Sequence, residues 1–162
     1  MQRAAPYIAP ASFYTPSCRR YKALLLKKLT IVLVDDDADV LESVAACFHR
    51  LGHDVIPFSN ALRALDHLHA GACDLLVADI KLREMSGLDL ISQVRARHPL
   101  MAIVAMTGHE EEYPLSMALE AGADAYLAKP FSLKTLELML QQTFWETASR
   151  LDWWEHHSVS NC

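Results

Sequence analysis

The chain predicts a doubly wound α/β fold, a five-stranded parallel sheet with helices on both faces. Three observations carry this prediction. From residue 30 onward, short apolar runs alternate with stretches of helical period. The helical stretches are long enough to require crossover connections, which make neighbouring strands parallel and right-handed in linkage. Three of the runs also end in charge: Thr30–Val34 before Asp35, Asp36 and Asp37, Leu75–Ala78 before Asp79, and Ala125–Ala128 before Lys129 and Pro130. In parallel strands these charges meet at the carboxyl edge, where open α/β sheets bind their ligands.

The elements follow in order. Thr30–Val34 is the first strand. Val40, Leu41, Val44, Ala45, Phe48 and Leu51 then recur at helical spacing, and Gly52 stops that helix as a left-handed residue. Asp54–Phe58 is a short strand whose Pro57 favours an edge position. A helix from about Asn60 carries Ala61, Leu62, Leu65 and Leu68 on one face and stops at Gly71. The strand Leu75–Ala78 leads into a loop over Ile80–Gly87, then a helix with Leu88, Ile91 and Val94 inward that ends near Pro99. Met101–Met106 reads as a buried central strand. A helix from about Glu111 stops at Gly122, and Ala125–Ala128 is the last strand. Ser132 caps a final helix bearing Leu133, Leu136, Met139, Leu140 and Phe144.

Length and composition bound the function. The chain has 162 residues, 52% hydrophobic and 22% charged, which suits one packed domain with tails. The longest apolar run, Leu100–Met106, is far too short to cross a bilayer, and Ala23–Leu26 is a poor core for a secretory signal. Cys18, Cys47, Cys73 and Cys162 show neither CxxC nor zinc spacing, so reduced thiols and a cytoplasmic location are expected. Residues 1–34 hold six basic residues and no acid, leaving 9 basic and 20 acidic residues after them, so a +6 arm precedes a body of charge −11. An acidic body argues against sequence-independent nucleic-acid binding by the domain. Converging carboxylates repel unless a cation sits among them, and two or three carboxylates with a lysine suit Mg²⁺ and a phosphoryl group.

Residues 30–147 closely resemble the receiver domain of bacterial two-component response regulators (CheY-like). The segments that carry the resemblance are Ile31–Asp37, Asp74–Asp79, Met85-Ser86-Gly87, Met106–His109 and Ala121–Phe131, in the family's order and spacing. The resemblance implies a flavodoxin-like sheet of strand order 2-1-3-4-5 with five helices. It implies that Asp79 accepts a phosphoryl group from a histidine kinase or histidine phosphotransfer protein. Asp36, Asp79 and the Lys81 backbone carbonyl would hold Mg²⁺ directly, and Asp35 through water. Lys129 and Thr107 would contact phosphoryl oxygens, and Pro130 would follow a cis peptide. Thr107 and Tyr126 would couple the site to the surface of helix 4, strand 5 and helix 5, which binds a downstream protein or a second copy. Lys81 and His109 stand where side chains flank the path of hydrolytic water, so they would tune phosphoryl lifetime. Such a domain is a phosphoacceptor and not a turnover enzyme.

Blander roles compete. Asp37 reads as a solvated acid favoured by the helix dipole. Asp79 alone would be an ordinary helix cap, and Tyr126 a half-buried aromatic. His156 and His157 read as solvated tail residues.

The expected organisation is an irregular basic arm over 1–28, the receiver over 29–148 and a tail over 149–162. Arg19, Arg20, Lys22, Lys27 and Lys28 would suit an anionic surface or partner, against the favoured reading of an extraneous start. Trp145, Trp153 and Trp154 would serve as contact residues or fold back on the last helix. The 14 residues of the tail are too few for an effector domain. The leading functional reading is a stand-alone receiver for relay or partner binding. One alternative is a receiver excised from a longer DNA-binding transcription regulator. A weaker one is a Mg²⁺-dependent phosphatase-like hydrolase, which would want a second acid at position 81, where this chain has lysine.

Overall fold

A computed structural model of the chain describes residues 28–71 and 73–144. The expectations for residues 1–27 of the basic arm, the tryptophan-rich tail, Cys18 and Cys162 lie outside these residues, whereas Lys28, the last residue of the arm, pairs with Asp54 at 2.8 Å. The observed elements are β1 (Thr30–Val34), α1 (Ala38–Arg50), β2 (Asp54–Phe58), α2 (Ala61–Ala70), β3 (Leu75–Asp79), α3 (Gly87–Arg97), β4 (Ala102–Thr107), α4 (Leu115–Ala121), β5 (Ala125–Ala128) and a last helix, α5, over 133–144. All strand pairs are parallel, in the order β2-β1-β3-β4-β5. The predicted architecture and strand order are those observed.

Strand residues alternate between two helical layers. Ile31, Leu33, Leu75, Val77, Val104, Met106 and Leu127 face α1 and α5, packing on Val44, Phe48, Leu136, Met139, Leu140 and Phe144. Val32, Val34, Leu76, Ala78, Ile103 and Ala105 face α2, α3 and α4. Both faces of the three central strands are therefore covered, which is why β3 and β4 read as unbroken apolar runs. Edge strand β2 carries the exposed Pro57, as its sequence suggested. Cys47 and Cys73 are half-buried free thiols.

Local differences have local causes. Leu62 is exposed, and Ala64 takes the inward place beside Ala61, Leu65 and Leu68. Leu90 joins Ile91 and Val94 in the core, while Leu88 is only half-buried. Helix α4 begins at Leu115, not near Glu111, because Pro114 disfavours helical backbone in the residue before it and itself occupies the N-cap. Residues before it instead form a turn, with the Glu112 and Tyr113 amides donating to the His109 carbonyl. Asp37 is the N-cap of α1, its carboxylate accepting from the Asp39 and Val40 amides. Ser132 receives the Thr135 amide, the cap expected of it.

At the amino edge of the sheet, Arg95 of α3 joins four segments. Its Nε donates to the Gly122 carbonyl at 2.9 Å, and its Nη1 to those of Pro99 and Met101 at 2.8 Å. Its Nη2 pairs with Asp124 at 2.8 Å, and that carboxylate also accepts from the Ile103 amide. The ends of α3 and α4 and the starts of β4 and β5 are tied there, opposite the edge that carries the charges.

Candidate functional site

The register of the sheet assembles the site. Val34 pairs with Ala78, so the next residues, Asp35 and Asp79, leave adjacent strands side by side. Asp79 pairs with Met106, and Thr107 with Ala128, which places Thr107 and Lys129 at the same edge. The chain winds from β1 outward to β2, then returns past β1 to β3, so this edge lies at a topological switch point.

Asp35, Asp36, Asp37, Asp79, Lys81, His109 and Lys129 line one cleft of about 430 Å³. Lys129 Nζ lies 2.7 Å from Asp35 Oδ2 and 2.6 Å from Asp79 Oδ1, bridging the two buried carboxylates. Burial lifts the Asp79 carboxyl above the usual carboxylate range. Lys129 and the Lys81 backbone amide pull against that rise, and Asp35 adds to it. Burial alone would lower the Lys129 ammonium, but its hydrogen bonds to Asp35 and Asp79 outweigh it and hold it above its ordinary value.

Asp36 is turned away from this bridge. Its Oδ2 pairs with Arg83 Nε at 2.9 Å. Lys81 extends across the rim to Glu112 at 3.2 Å, and His109 is exposed beside it. Thr107 is fully buried behind the cleft, its Oγ1 accepting the His109 amide at 3.0 Å. Tyr126 stands apart from the carboxylates, packed among the residues covered by α2, α3 and α4, and its hydroxyl donates to the Tyr113 carbonyl at 2.7 Å. The bond between Lys129 and Pro130 is cis.

Three participants were given no role by the sequence alone. Arg83 and Glu112 sit in loops, where spacing does not reveal which acid or base a long side chain will meet. Gly87 is the third. A Cβ built there would stand 1.9 Å from the Asp79 carbonyl oxygen, so α3 can start against β3 only with glycine at this position. The segment Met85-Ser86-Gly87 was the available signal.

Among the described residues, no three His, Cys, Asp or Glu side chains close around a point as a ready-made metal cage. Mg²⁺ asks for less, since it binds through one or two carboxylates with water, carbonyl and phosphate oxygens completing its shell. The all-oxygen donors of Asp35, Asp36 and Asp79 at one cleft fit such an ion.

Residues 31–141 match the response regulator receiver domain family. Among curated relatives, the transcriptional regulatory protein CreB of Escherichia coli is 32% identical over 107 residues, covering 66% of this chain and 47% of that protein. The alkaline phosphatase synthesis transcriptional regulatory protein PhoP of Bacillus subtilis is 33% identical, covering 63% of this chain and 42% of that protein. The chain thus spans less than half the length of these relatives. Among solved structures, a CheY-like receiver domain protein from Methanospirillum hungatei superposes with a TM-score of 0.71 at 27% identity, covering 76% of this chain and 99% of that one. NtrX from Brucella abortus, in complex with ADP, gives a TM-score of 0.74 at 25% identity over 84% of this chain and 31% of its own. With its fold, its charged edge and these matches in agreement, the chain belongs to the response regulator receiver domain family.

Proposed function

We propose that Asp79 accepts a phosphoryl group from the phosphohistidine of a sensor kinase or phosphotransfer protein, and that the acyl phosphate switches a partner-binding surface. The observation that carries this reading is Lys129 bridging Asp35 and Asp79 at 2.7 and 2.6 Å. An Asp79 carboxylate oxygen attacks the phosphorus. The P–O bond forms as the P–N bond breaks, and the imidazole leaves with the electron pair. Lys129 already touches the attacking carboxylate, so its ammonium follows the arriving phosphoryl oxygens as a point charge. Thr107 accepts from His109 through Oγ1, which leaves its own O–H hydrogen for a phosphoryl oxygen.

Asp36, Asp79 and the Lys81 carbonyl would hold Mg²⁺, with Asp35 acting through water. When bound, the ion neutralises negative charge as the phosphoryl group transfers. The loop between Thr107 and α4 ends at Tyr113, whose carbonyl holds the Tyr126 hydroxyl. Movement of Thr107 toward the phosphoryl group therefore reaches Tyr126 along one short loop, and through it the surface of α4, β5 and α5. A downstream protein or a second copy of the chain reads that surface. Lys81 and His109 set the lifetime of the acyl phosphate, and Pro130 serves the turn after Lys129. The unit that does this spans 29–148, with the arm over 1–28 and the tail over 149–162 as appendages.

A second reading, the receiver of a longer DNA-binding regulator, is favoured by the greater length of the transcription regulators it resembles. The test of the main reading is intact mass after incubation with acetyl phosphate, with and without Mg²⁺. One Mg²⁺-dependent phosphoryl adduct, lost in Asp79→Ala, is the expected result. No adduct on the wild type, under conditions that label a control receiver, would refute phosphate acceptance.

A further inference from the structure

Asp35, Asp36 and Asp79 do not share their cations evenly. Lys129 serves Asp35 and Asp79, whereas Asp36 pairs with Arg83, Nε to Oδ2 at 2.9 Å. The two partners also differ in freedom. The Arg83 side chain is 83% exposed and that of Asp36 only 23%, so the arginine can depart without disturbing the core. A second groove of about 310 Å³ adjoins the first, sharing Asp36, Leu82 and Arg83 and lined further by Ser59, Asn60 and Glu84. It offers the guanidinium space beside another acid when it leaves Asp36.

A divalent cation and this guanidinium compete for the same carboxylate. Mg²⁺ demands well-directed oxygen lone pairs and sheds water reluctantly, and a fixed positive charge beside the ligand opposes its approach. Resting on the receiver reading above, we propose that Arg83 is a latch on Asp36. It holds the carboxylate while the cleft lacks metal and must release it before Asp36 ligates, which weakens the apparent affinity of the cleft for Mg²⁺. The latch offsets charge in the metal-free site and raises the Mg²⁺ concentration at which the cleft becomes competent.

An exposed pair of this kind is worth up to about 1 kcal/mol, or roughly fivefold in affinity. The test is a Mg²⁺ titration of the full chain followed by ¹H–¹⁵N NMR at constant ionic strength, for wild type and Arg83→Ala. In the wild type, the Arg83 Nε–H signal should move toward that of a solvated arginine with the same midpoint as the Asp36 and Asp79 amides. Arg83→Ala should bind Mg²⁺ about two- to fivefold tighter, with the difference shrinking at high salt. Equal affinities, or an Arg83 signal unmoved at saturation, would overturn the latch and leave the receiver reading standing. No response at Asp36 or Asp79 in either protein would overturn both.

Discussion

Gly87→Ala tests whether the phosphoacceptor strand depends on one close backbone approach. The added Cβ would lie 1.9 Å from the Asp79 carbonyl oxygen and 2.8 Å from both the Asp79 carbonyl carbon and the Ile80 Cα. Ordinary contact needs about 3.5 Å, so α3 and the end of β3 must separate by roughly 1.5 Å. Neither side yields easily. Asp79 is in register with Met106 of β4, and the Ile80 amide donates to the Met106 carbonyl at 2.9 Å. The Gly87 amide in turn donates to the Ile80 carbonyl at 2.9 Å. Overpacking of this severity costs about 3 kcal/mol, and the gain from replacing glycine by alanine returns at most about 1. A net loss of about 2 kcal/mol lowers Tm by roughly 6–10 °C in a domain of this size. Because the displaced atoms belong to Asp79, labelling by acetyl phosphate should also slow, by up to about a hundredfold for a shift near 1 Å. Calorimetry and labelling of the still-folded protein check the two effects. Gly108→Ala is the control for the melting temperature, since a Cβ there meets nothing within 4 Å. A Gly87→Ala protein melting within about 2 °C of wild type and labelled at the wild-type rate would refute the reasoning, because that shift corresponds to under about 0.5 kcal/mol.

Other outcomes follow from the same geometry. Burial holds the Asp79 carboxyl above its ordinary range, so the folded state binds that proton more tightly than the unfolded chain. Its contribution to stability is then greatest below the ordinary carboxylate pKa of about 4 and falls as pH rises through the folded value. Asp79→Asn should therefore raise the Tm of the metal-free protein at neutral pH by a few degrees, with the gain shrinking on acidification; a lowered Tm at neutral pH would contradict it. Lys81→Ala removes the pair with Glu112 across the rim and should shorten the half-life of the acyl phosphate by up to about fivefold, and an unchanged half-life would remove Lys81 from lifetime control. Arg95→Ala takes the guanidinium from the buried Asp124 carboxylate and a donor from several carbonyls, so chemical denaturation should show a loss of about 3 kcal/mol.

Much of this molecule is legible from pattern alone. The alternation of apolar runs and helical periods is enough for five parallel strands and their intervening helices. The charges that end β1, β3 and β5 are enough to place Asp35, Asp79 and Lys129 at one edge, because parallel strands all point the same way. A boundary was less legible where Pro114 overrode the period at the start of α4, and a facing was less legible at Leu62, which lies on the outer side of α2.

Tertiary structure decided which charges meet. Nothing in the spacing distinguishes Asp35 from Asp36, yet one is buried under Lys129 and the other turns to Arg83. Nothing local pairs Lys81 with Glu112, or hands the Tyr126 hydroxyl to the Tyr113 carbonyl. Those partners lie far apart in sequence and are brought together only when helices and loops pack against the sheet. Strand identity follows from periods a few residues long, so the sequence by itself determined the scaffold and the charged edge. Side-chain partners depend on where long, flexible arms come to rest in three dimensions, and only the folded chain decided them.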